Sequence, residues 1–389
     1  MADNSGMVSR ILPFPKQSFF LFGPRGVGKT TYLENQITKK TLYIDLLDAD
    51  SEESYSRSPD LLFQIISEDP KKYSVVIIDE IQKIPKLLDI VHKSIFKYKH
   101  IQFILTGSSA RKLKRGLANL LAGRAFSIYL HPFCYLELEK KELVDLLSWG
   151  GLPQIYSYDN DKDKIRYLKT YTQTYLKEEI QVEQLVRNMT TFRQFLDFAT
   201  QMNGEITNFS NIAKKSAVDE TTISRYFEIL VDTMVGFYLE PFEQSVRKRQ
   251  AQKPKFYLFD TGVVRSLNQS ASSKLIIGSS EYGKLFEQFI ICEIRKLNDY
   301  FETDYRFFYL RTKDNVEVDL IIQKRPNQFL YIEIKSTNQV LDEDLKSLNS
   351  LAGENERWII CTEKAARKHM TGVRVLPWKV ALRELFREF

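Results

Sequence analysis

Residues 19–30 read FFLFGPRGVGKT, an apolar strand-forming run followed by a glycine-rich loop and the first residues of a helix. The loop fits the pattern G-x-x-x-x-G-K-[ST], in which backbone amides at the start of the helix hold phosphate oxygens. The residues predicted to surround a bound nucleotide are Gly23, Pro24, Arg25, Gly26, Val27, Gly28, Lys29, Thr30 and Thr31. Lys29 would reach the β- and γ-phosphates and the Thr30 hydroxyl would bind Mg²⁺, so this stretch predicts ATP and Mg²⁺ as cofactors.

A second motif ends an apolar strand at residues 75–80, which read VVIIDE. A carboxylate at the carboxyl end of such a strand would lie beside the phosphate loop. We expect Asp79 to hold Mg²⁺ through water, and Glu80 to orient or deprotonate the water that attacks the γ-phosphate. The alternative is a solvated strand end, which the distance of this pair from the phosphate loop disfavours.

A third apolar strand ends in hydroxyl residues at 103–109, which read FILTGSS. Thr106 and Ser108 are therefore candidates for sensing the γ-phosphate or placing the attacking water. The runs predicted as strands in this part of the chain are 19–22, 41–45, 75–79, 101–106 and 125–129, with helical stretches between them. That alternation predicts an α/β fold with a mostly parallel sheet covered by helices.

Together these motifs resemble those of the AAA+ ATPases, in the prokaryotic branch that joins this core to a winged helix and a C-terminal nuclease-like domain. The segments that carry the resemblance are IDEIQ at 78–82, LTGSS at 105–109, LAGRA at 121–125, WGGLP at 149–153 and DTG at 260–262. The resemblance covers nearly the whole chain. It implies an ATP hydrolase that forms a homo-oligomer, a hexameric ring being one such form.

In such an assembly a neighbour's arginine usually completes each ATP site. Arg124 is the first candidate for that catalytic contact and Arg115 the second. The alternative for either side chain is a solvated or nucleic-acid-facing charge.

The pattern between residues 206 and 267 is typical of a winged helix. Two short helices are predicted at 209–215 and 220–230, the second capped by Asp219, and two strands at 235–239 and 256–259. Ile223, Phe227 and Leu230 fall at helical spacing on the side that faces the core. The side chains that then face outward, where a recognition helix meets DNA, are Thr221, Thr222, Ser224 and Arg225.

An acid-free basic window separates the two predicted strands, where a wing would follow DNA phosphates. Its basic residues are Arg247, Lys248, Arg249, Lys253 and Lys255. A second acid-free window, 111–124, lies in the first domain. Because winged helices also dock proteins or form part of AAA+ lids, DNA binding is one of two interpretations.

Four charged residues in the last third of the chain suggest a metal site. Glu287 lies on a predicted amphipathic helix, Asp319 on a strand, and Glu333 and Lys335 on one face of a later strand. A divalent cation would satisfy the carboxylates, and Lys335 would polarise a water aimed at a phosphodiester.

This set resembles the PD-(D/E)XK nuclease fold, with Val318 standing where a proline is usual. By that resemblance Glu287, Asp319 and Glu333 bind metal and Lys335 is catalytic. The alternatives are a structural salt-bridge network, or a nuclease fold kept only to hold DNA.

The predicted organisation therefore has four parts: a P-loop AAA+ ATPase domain (1–135), a helical lid or linker (136–203), a winged-helix domain (204–275) and a PD-(D/E)XK-like α/β domain (276–389). A net charge of +6 permits a polyanionic partner. The three cysteines form no paired spacing, and neither a signal peptide nor a membrane-spanning run is evident, so we expect a cytoplasmic protein with no membrane contact. With four His, a zinc site is not expected.

The leading hypothesis is an AAA+ ATPase that binds duplex or branched DNA and remodels or processes it, with metal-dependent nuclease activity left open. The alternative is a nucleotide-switched regulatory ATPase whose winged helix and C-terminal domain bind protein partners. A third interpretation, a structural DNA-binding protein with residual ATP binding, is disfavoured by the presence of Glu80.

Overall fold

A computed structural model of the chain describes residues 8–107, 123–175, 189–216, 218–243 and 252–386. The chain folds into two compact units. The N-terminal unit contains residues 1–133 and 232–234, and the C-terminal unit contains residues 134–231 and 235–389.

A five-stranded sheet in the order β2-β3-β4-β1-β5 forms the centre of the N-terminal unit. Its strands are β1 (Phe19–Phe22), β2 (Thr41–Asp45), β3 (Val75–Asp79), β4 (Gln102–Gly107) and β5 (Phe126–Tyr129). Every strand pairing in it is parallel. The predicted parallel α/β sheet is confirmed, with β4 and β5 each beginning one residue later than predicted.

Helices cover this sheet because the side chains on both of its faces are mostly apolar and must be shielded from water. The helices are α1 (Lys29–Glu34), α2 (Ala49–Arg57), α3 (Leu61–Glu68) and α4 (Leu87–Lys97), with a 3₁₀ turn at Ile81–Lys83. Ile78 and Leu105 of the strands share one core with Leu62 and Val91 of the helices. In a parallel sheet the carboxyl ends of all strands lie at the same edge. The residues that follow β1, β3 and β4 therefore meet at that edge.

The C-terminal unit is built on a mixed nine-stranded sheet in the order β13-β14-β12-β11-β10-β9-β7-β8-β6. Its strands are β6 (Glu205–Ile206), β7 (Gly236–Pro241), β8 (Lys255–Leu258), β9 (Arg306–Arg311), β10 (Glu317–Arg325), β11 (Gln328–Ile334), β12 (Glu356–Cys361), β13 (Arg367–Lys368) and β14 (Arg374–Pro377). The predicted second α/β unit is present.

The sheet also joins two segments that the sequence separates. β7 and β8 form the antiparallel pair expected of a winged helix, and β7 pairs in parallel with β9, with Glu240 opposite Phe308. The predicted segments 204–275 and 276–389 therefore share one sheet. Local patterns do not reveal a pairing between strands so far apart in sequence.

The helices of the C-terminal unit confirm the predicted helical stretches on either side of residues 150–153. They are α5 (Leu143–Trp149), α6 (Asp161–Thr170), α7 (Met189–Gln201), α8 (Phe209–Ser216), α9 (Glu220–Asp232), α10 (Thr261–Leu267), α11 (Ser280–Tyr300), α12 (Lys346–Leu351) and α13 (Trp378–Leu385). Short 3₁₀ turns lie at Pro153–Ser157 and Asp342–Leu345, and a π turn at Tyr171–Tyr175. The Ser279 side chain caps α11, the long amphipathic helix expected near Tyr282.

Two of the motifs that carry the family resemblance pack against each other in this unit. The buried Asp260 carboxylate accepts a hydrogen bond from the Gly151 amide at 2.7 Å and caps α10 through the Val263 amide at 3.0 Å. A Cβ on Gly262 would lie 2.2 Å from the Trp149 carbonyl oxygen. We call residues 149–153 and 260–263 the Asp260 clasp.

In the ranges of the chain that the structure describes, no helix combines the length and the apolar character that crossing a membrane requires.

Candidate functional site

The phosphate loop connects β1 to α1 and depends on three glycines. Gly26 and Gly28 adopt left-handed φ angles of 81° and 86°, which other residues rarely adopt. A Cβ on Gly23 would lie 2.3 Å from the Leu130 carbonyl oxygen, so no larger residue fits there. Gly28 also occupies the N-cap of α1, and amides at such a helix start are suited to phosphate.

Lys29 lies inside this loop and is 7% exposed. Its ammonium donates to the carbonyls of Gly23 at 2.8 Å and Pro24 at 3.3 Å. Since an ammonium has three N–H donors, two carbonyls leave it capable of binding a phosphate oxygen. The loop therefore holds a positive charge where the sequence predicts the β- and γ-phosphates.

Asp79, which is 3% exposed, is the centre of a hydrogen-bond network at the carboxyl end of β3. Its Oδ2 accepts from the Thr30 hydroxyl at 3.0 Å and from the Tyr43 hydroxyl at 2.7 Å. Its Oδ1 accepts from the Thr106 hydroxyl on β4. The two predicted Mg²⁺ ligands, Thr30 and Asp79, are thus neighbours, and both carry the oxygen donors that Mg²⁺ prefers.

Tyr43 was missed by sequence reasoning. It lies on β2, where pairing with β3 places it opposite Ile77. Burial, with the hydrogen bond to Asp79, raises the pKa of the Tyr43 hydroxyl well above its usual range, so it stays a donor. An isolated tyrosine in a strand gives no local signal of this contact.

Glu80 has a left-handed backbone with φ 58°, unusual for a residue other than glycine. Its amide donates to the Thr106 hydroxyl at 3.0 Å, and the Gln82 side-chain amide donates to its carboxylate. Thr106 therefore contacts both members of the Asp79-Glu80 pair. Its predicted role near the γ-phosphate stays a prediction.

Of the remaining residues predicted to take part in catalysis at this site, the structure describes only Arg124. Ser108 and Arg115 lie outside the described residues. Arg124 is exposed, and its Nη1 lies 2.5 Å from the His92 Nε2 on α4. Its contact with a neighbouring subunit stays a prediction.

The segment predicted to be a winged helix has its predicted core side. Ile223, Phe227 and Leu230 on α9 are buried, and Asp219 accepts the Thr222 amide at 2.9 Å as the helix cap. Thr221 and Arg225 are exposed and Ser224 is half-buried. The Thr222 hydroxyl also bonds to Asp219, at 2.7 Å, which occupies it in the cap.

The basic window is only partly described, because Arg247, Lys248 and Arg249 lie outside the described residues. Lys253 is exposed. The expectation that Lys255 follows DNA phosphates is wrong, because this residue is 3% exposed and its ammonium is ion-paired within the unit.

The predicted charged residues of the C-terminal unit come from three elements and act on one another electrostatically. We call the cluster of Glu287, Asp319, Glu333 and Lys335 the acidic pocket. Glu333 on β11 accepts from the Lys335 ammonium at 2.8 Å and the Ser347 hydroxyl at 3.1 Å. Asp319 on β10 accepts the Ile334 amide at 2.8 Å. Glu287 on α11 accepts the Tyr257 hydroxyl at 2.7 Å. Each carboxylate is therefore already bonded by its own chain.

The charge of Asp319 acts on two of these carboxyls. Burial, and then the charge of Asp319, raise the pKa of Glu287 to about 7 and that of Glu333 to about 8. Yet no three His, Cys, Asp or Glu side chains of the described ranges are placed to hold a metal ion together. Metal binding by Glu287, Asp319 and Glu333 stays a prediction, and the ion pair of Glu333 with Lys335 is a contact of the kind that the salt-bridge alternative describes.

We expect Glu333→Gln to stabilise the protein above pH 8 and to change little near pH 4. The folded pKa lies above the ordinary value of 4.5, so the native state favours the protonated carboxyl. The wild type therefore loses stability as pH rises from about 4.5 to about 8, whereas glutamine does not titrate. Urea unfolding at pH 4.5 and 8.5 should show a relative gain of roughly 1–3 kcal/mol at the higher pH. The exposed Glu343→Gln is the control, and an equal difference at both pH values would contradict the prediction.

Comparison with known families divides the chain into three stretches. Residues 15–139 match an AAA domain, residues 140–274 a domain of unknown function (DUF8612) and residues 282–380 a domain of unknown function (DUF4143). The chain thus carries an N-terminal AAA domain followed by two domains of unknown function.

Similar proteins are uncharacterized. A protein of Mycobacterium tuberculosis is 25% identical over 321 residues, 82% of this chain and 70% of that protein. A protein of Methanocaldococcus jannaschii is 23% identical over 357 residues, covering 84% and 77% respectively. Among solved structures, domain III of the Thermotoga maritima replication initiation protein DnaA matches 41% of this chain and 76% of that chain at 18% identity. Its TM-score is 0.24, so this likeness carries no argument.

Proposed function

We propose that the chain is a Mg²⁺-dependent AAA+ ATPase that binds DNA and uses ATP to remodel or process it. The observation that carries the ATPase part is the Asp79 network beside the glycine loop, in which Thr30 and Thr106 both bond to Asp79 and the Glu80 amide bonds to Thr106. Phosphoryl transfer depends mainly on positioning and charge, which these groups supply.

The residues of the chain divide the work of hydrolysis among them. The amides of the loop and the Lys29 ammonium bind the phosphates, and Thr30 with Asp79 would hold Mg²⁺, whose charge neutralises the β- and γ-oxygens. Glu80 takes the proton of the attacking water or orients that water. Thr106 fixes Asp79 and Glu80 relative to each other, and Tyr43 orients the Asp79 carboxylate.

Two features support the DNA part of the proposal. Arg225 and Thr221 form an exposed polar face on α9, the helix whose opposite side fills the core. The basic residues Arg247, Lys248 and Arg249 follow β7 in sequence. A homo-oligomer in which Arg124 completes the neighbouring ATP site belongs to the same proposal, supported by the exposure of Arg124.

The test is Mg²⁺-dependent ATP hydrolysis with and without duplex, single-stranded and four-way-junction DNA. We expect one DNA form to stimulate hydrolysis and to bind with an affinity that falls as salt rises. Arg225→Ala should reduce the slope of log affinity against log salt by about 0.9, the value of one phosphate contact. The exposed Lys162→Ala is the matched control. Hydrolysis and binding indifferent to all three forms would instead favour the protein-partner switch.

A further inference from the structure

Lys255 is one of two lysines whose ammonium groups contact carboxylates of the acidic pocket, the other being Lys335. Lys255 begins β8, and its ammonium lies 3.6 Å from the Glu287 carboxylate while forming an ion pair with Glu317. The face of the Tyr309 ring lies 5.6 Å from the same ammonium. Lys255 is therefore enclosed by groups from α11, β9 and β10.

Burial of an ammonium is expensive unless carboxylates compensate it, and burial of several carboxylates requires a positive charge among them. The negative charges of Glu287, Glu317 and Asp319 all act on the Lys255 ammonium. These carboxylates therefore compensate the buried ammonium, and the ammonium in turn compensates them. The Tyr257 hydroxyl completes the bonding of Glu287 at 2.7 Å. The positive charge that compensates these carboxylates is thus a side chain of the protein itself, not a bound ion.

A nuclease of the fold that the sequence resembles would carry a divalent cation at this place. The carboxylates that would bind that cation are bonded to Lys255, Tyr257, Lys335, Ser347 and the Ile334 amide. No three metal-ligating side chains of the described residues are grouped for a metal. Two ammonium groups, those of Lys255 and Lys335, therefore already lie beside these carboxylates, and their positive charge opposes the binding of a divalent cation there.

We propose that Lys255 is the permanent counter-ion of the acidic pocket, and that the C-terminal unit holds no catalytic metal and does not cleave phosphodiester bonds. The pocket then ties the β7–β8 pair to α11 and β10. This inference is independent of the proposed ATPase activity.

Mn²⁺ binding to the full chain without nucleotide tests the proposal, with free Mn²⁺ followed by electron paramagnetic resonance. The variant Asp79→Asn removes the metal ligand of the N-terminal site. We expect Asp79→Asn to show no site of micromolar affinity. A single micromolar site that persists in Asp79→Asn and disappears in the double variant with Asp319→Asn would overturn the proposal.

Thermal unfolding supplies a second readout. Lys255→Met keeps the aliphatic stem but leaves the half-buried carboxylates of Glu287 and Glu317 without their cation, and we expect its Tm to fall by about 10 °C. Lys253→Met, two residues earlier and exposed, should keep the wild-type Tm. An unchanged Tm in Lys255→Met would also overturn the proposal. If Lys255→Met does not fold, the Mn²⁺ titration of Asp79→Asn decides alone.

Discussion

Glu80→Gln is expected to bind ATP as tightly as the wild type and to hydrolyse it at least about 100-fold more slowly, the usual contribution of a general base. Glutamine keeps the size and the acceptor that Gln82 bonds, but it cannot take a proton from water. The Thr106 hydroxyl and the Glu80 amide remain as they are in the wild type. The loss should therefore appear in kcat and leave the nucleotide affinity unchanged.

Lys29→Ala separates binding from chemistry at the same site. It removes the ammonium held between the Gly23 and Pro24 carbonyls, and with it the only basic group that the sequence assigns to the β- and γ-phosphates. We expect ATP binding to be lost, and hydrolysis with it.

Fluorescent-nucleotide binding and single-turnover hydrolysis measure the two variants side by side. Glu68→Gln and Lys71→Ala are matched controls, because both residues are exposed in the same unit. Wild-type hydrolysis by Glu80→Gln would refute the assignment of Glu80 as the base. Wild-type affinity in Lys29→Ala would refute the assignment of the phosphate loop.

The parts of the fold that sequence predicted well are those encoded by neighbouring residues. β1, β2 and β3 begin and end at the predicted residues, and the glycine loop follows β1 directly. The core side of α9 follows from the helical spacing of Ile223 and Phe227. Local chemistry determines these features, since apolar periodicity and glycine dihedrals need no distant partner.

Contacts between distant residues account for what was missed. Tyr43 reaches Asp79 only because β2 and β3 pair in parallel register. Lys255 belongs to a basic window in sequence and was expected to follow DNA phosphates, yet its ion pairs come from Glu287 and Glu317. A partner that lies tens of residues further along the chain decides whether a charge is exposed or buried, and no local pattern encodes it.

Gly262→Ala is expected to destabilise the C-terminal unit strongly. The added methyl would lie 2.2 Å from the oxygen and 2.6 Å from the carbon of the Trp149 carbonyl. Both atoms belong to backbone, so no flexible side chain can move aside. Because the Asp260 clasp fixes this backbone through the Gly151 amide, we expect a cost of about 3 kcal/mol or more.

Gly283→Ala is the matched control, since Gly283 lies within α11 and an added methyl would approach only the Ser336 hydroxyl, at 3.4 Å. Alanine in a helix is favoured over glycine by up to about 1 kcal/mol, so this variant should be as stable as the wild type or more stable. In thermal unfolding followed by circular dichroism, Gly262→Ala should melt roughly 10 °C lower. Equal melting temperatures for the two variants would show that the contact between Gly262 and Trp149 does not constrain the fold, and that the Asp260 clasp contributes little to its stability.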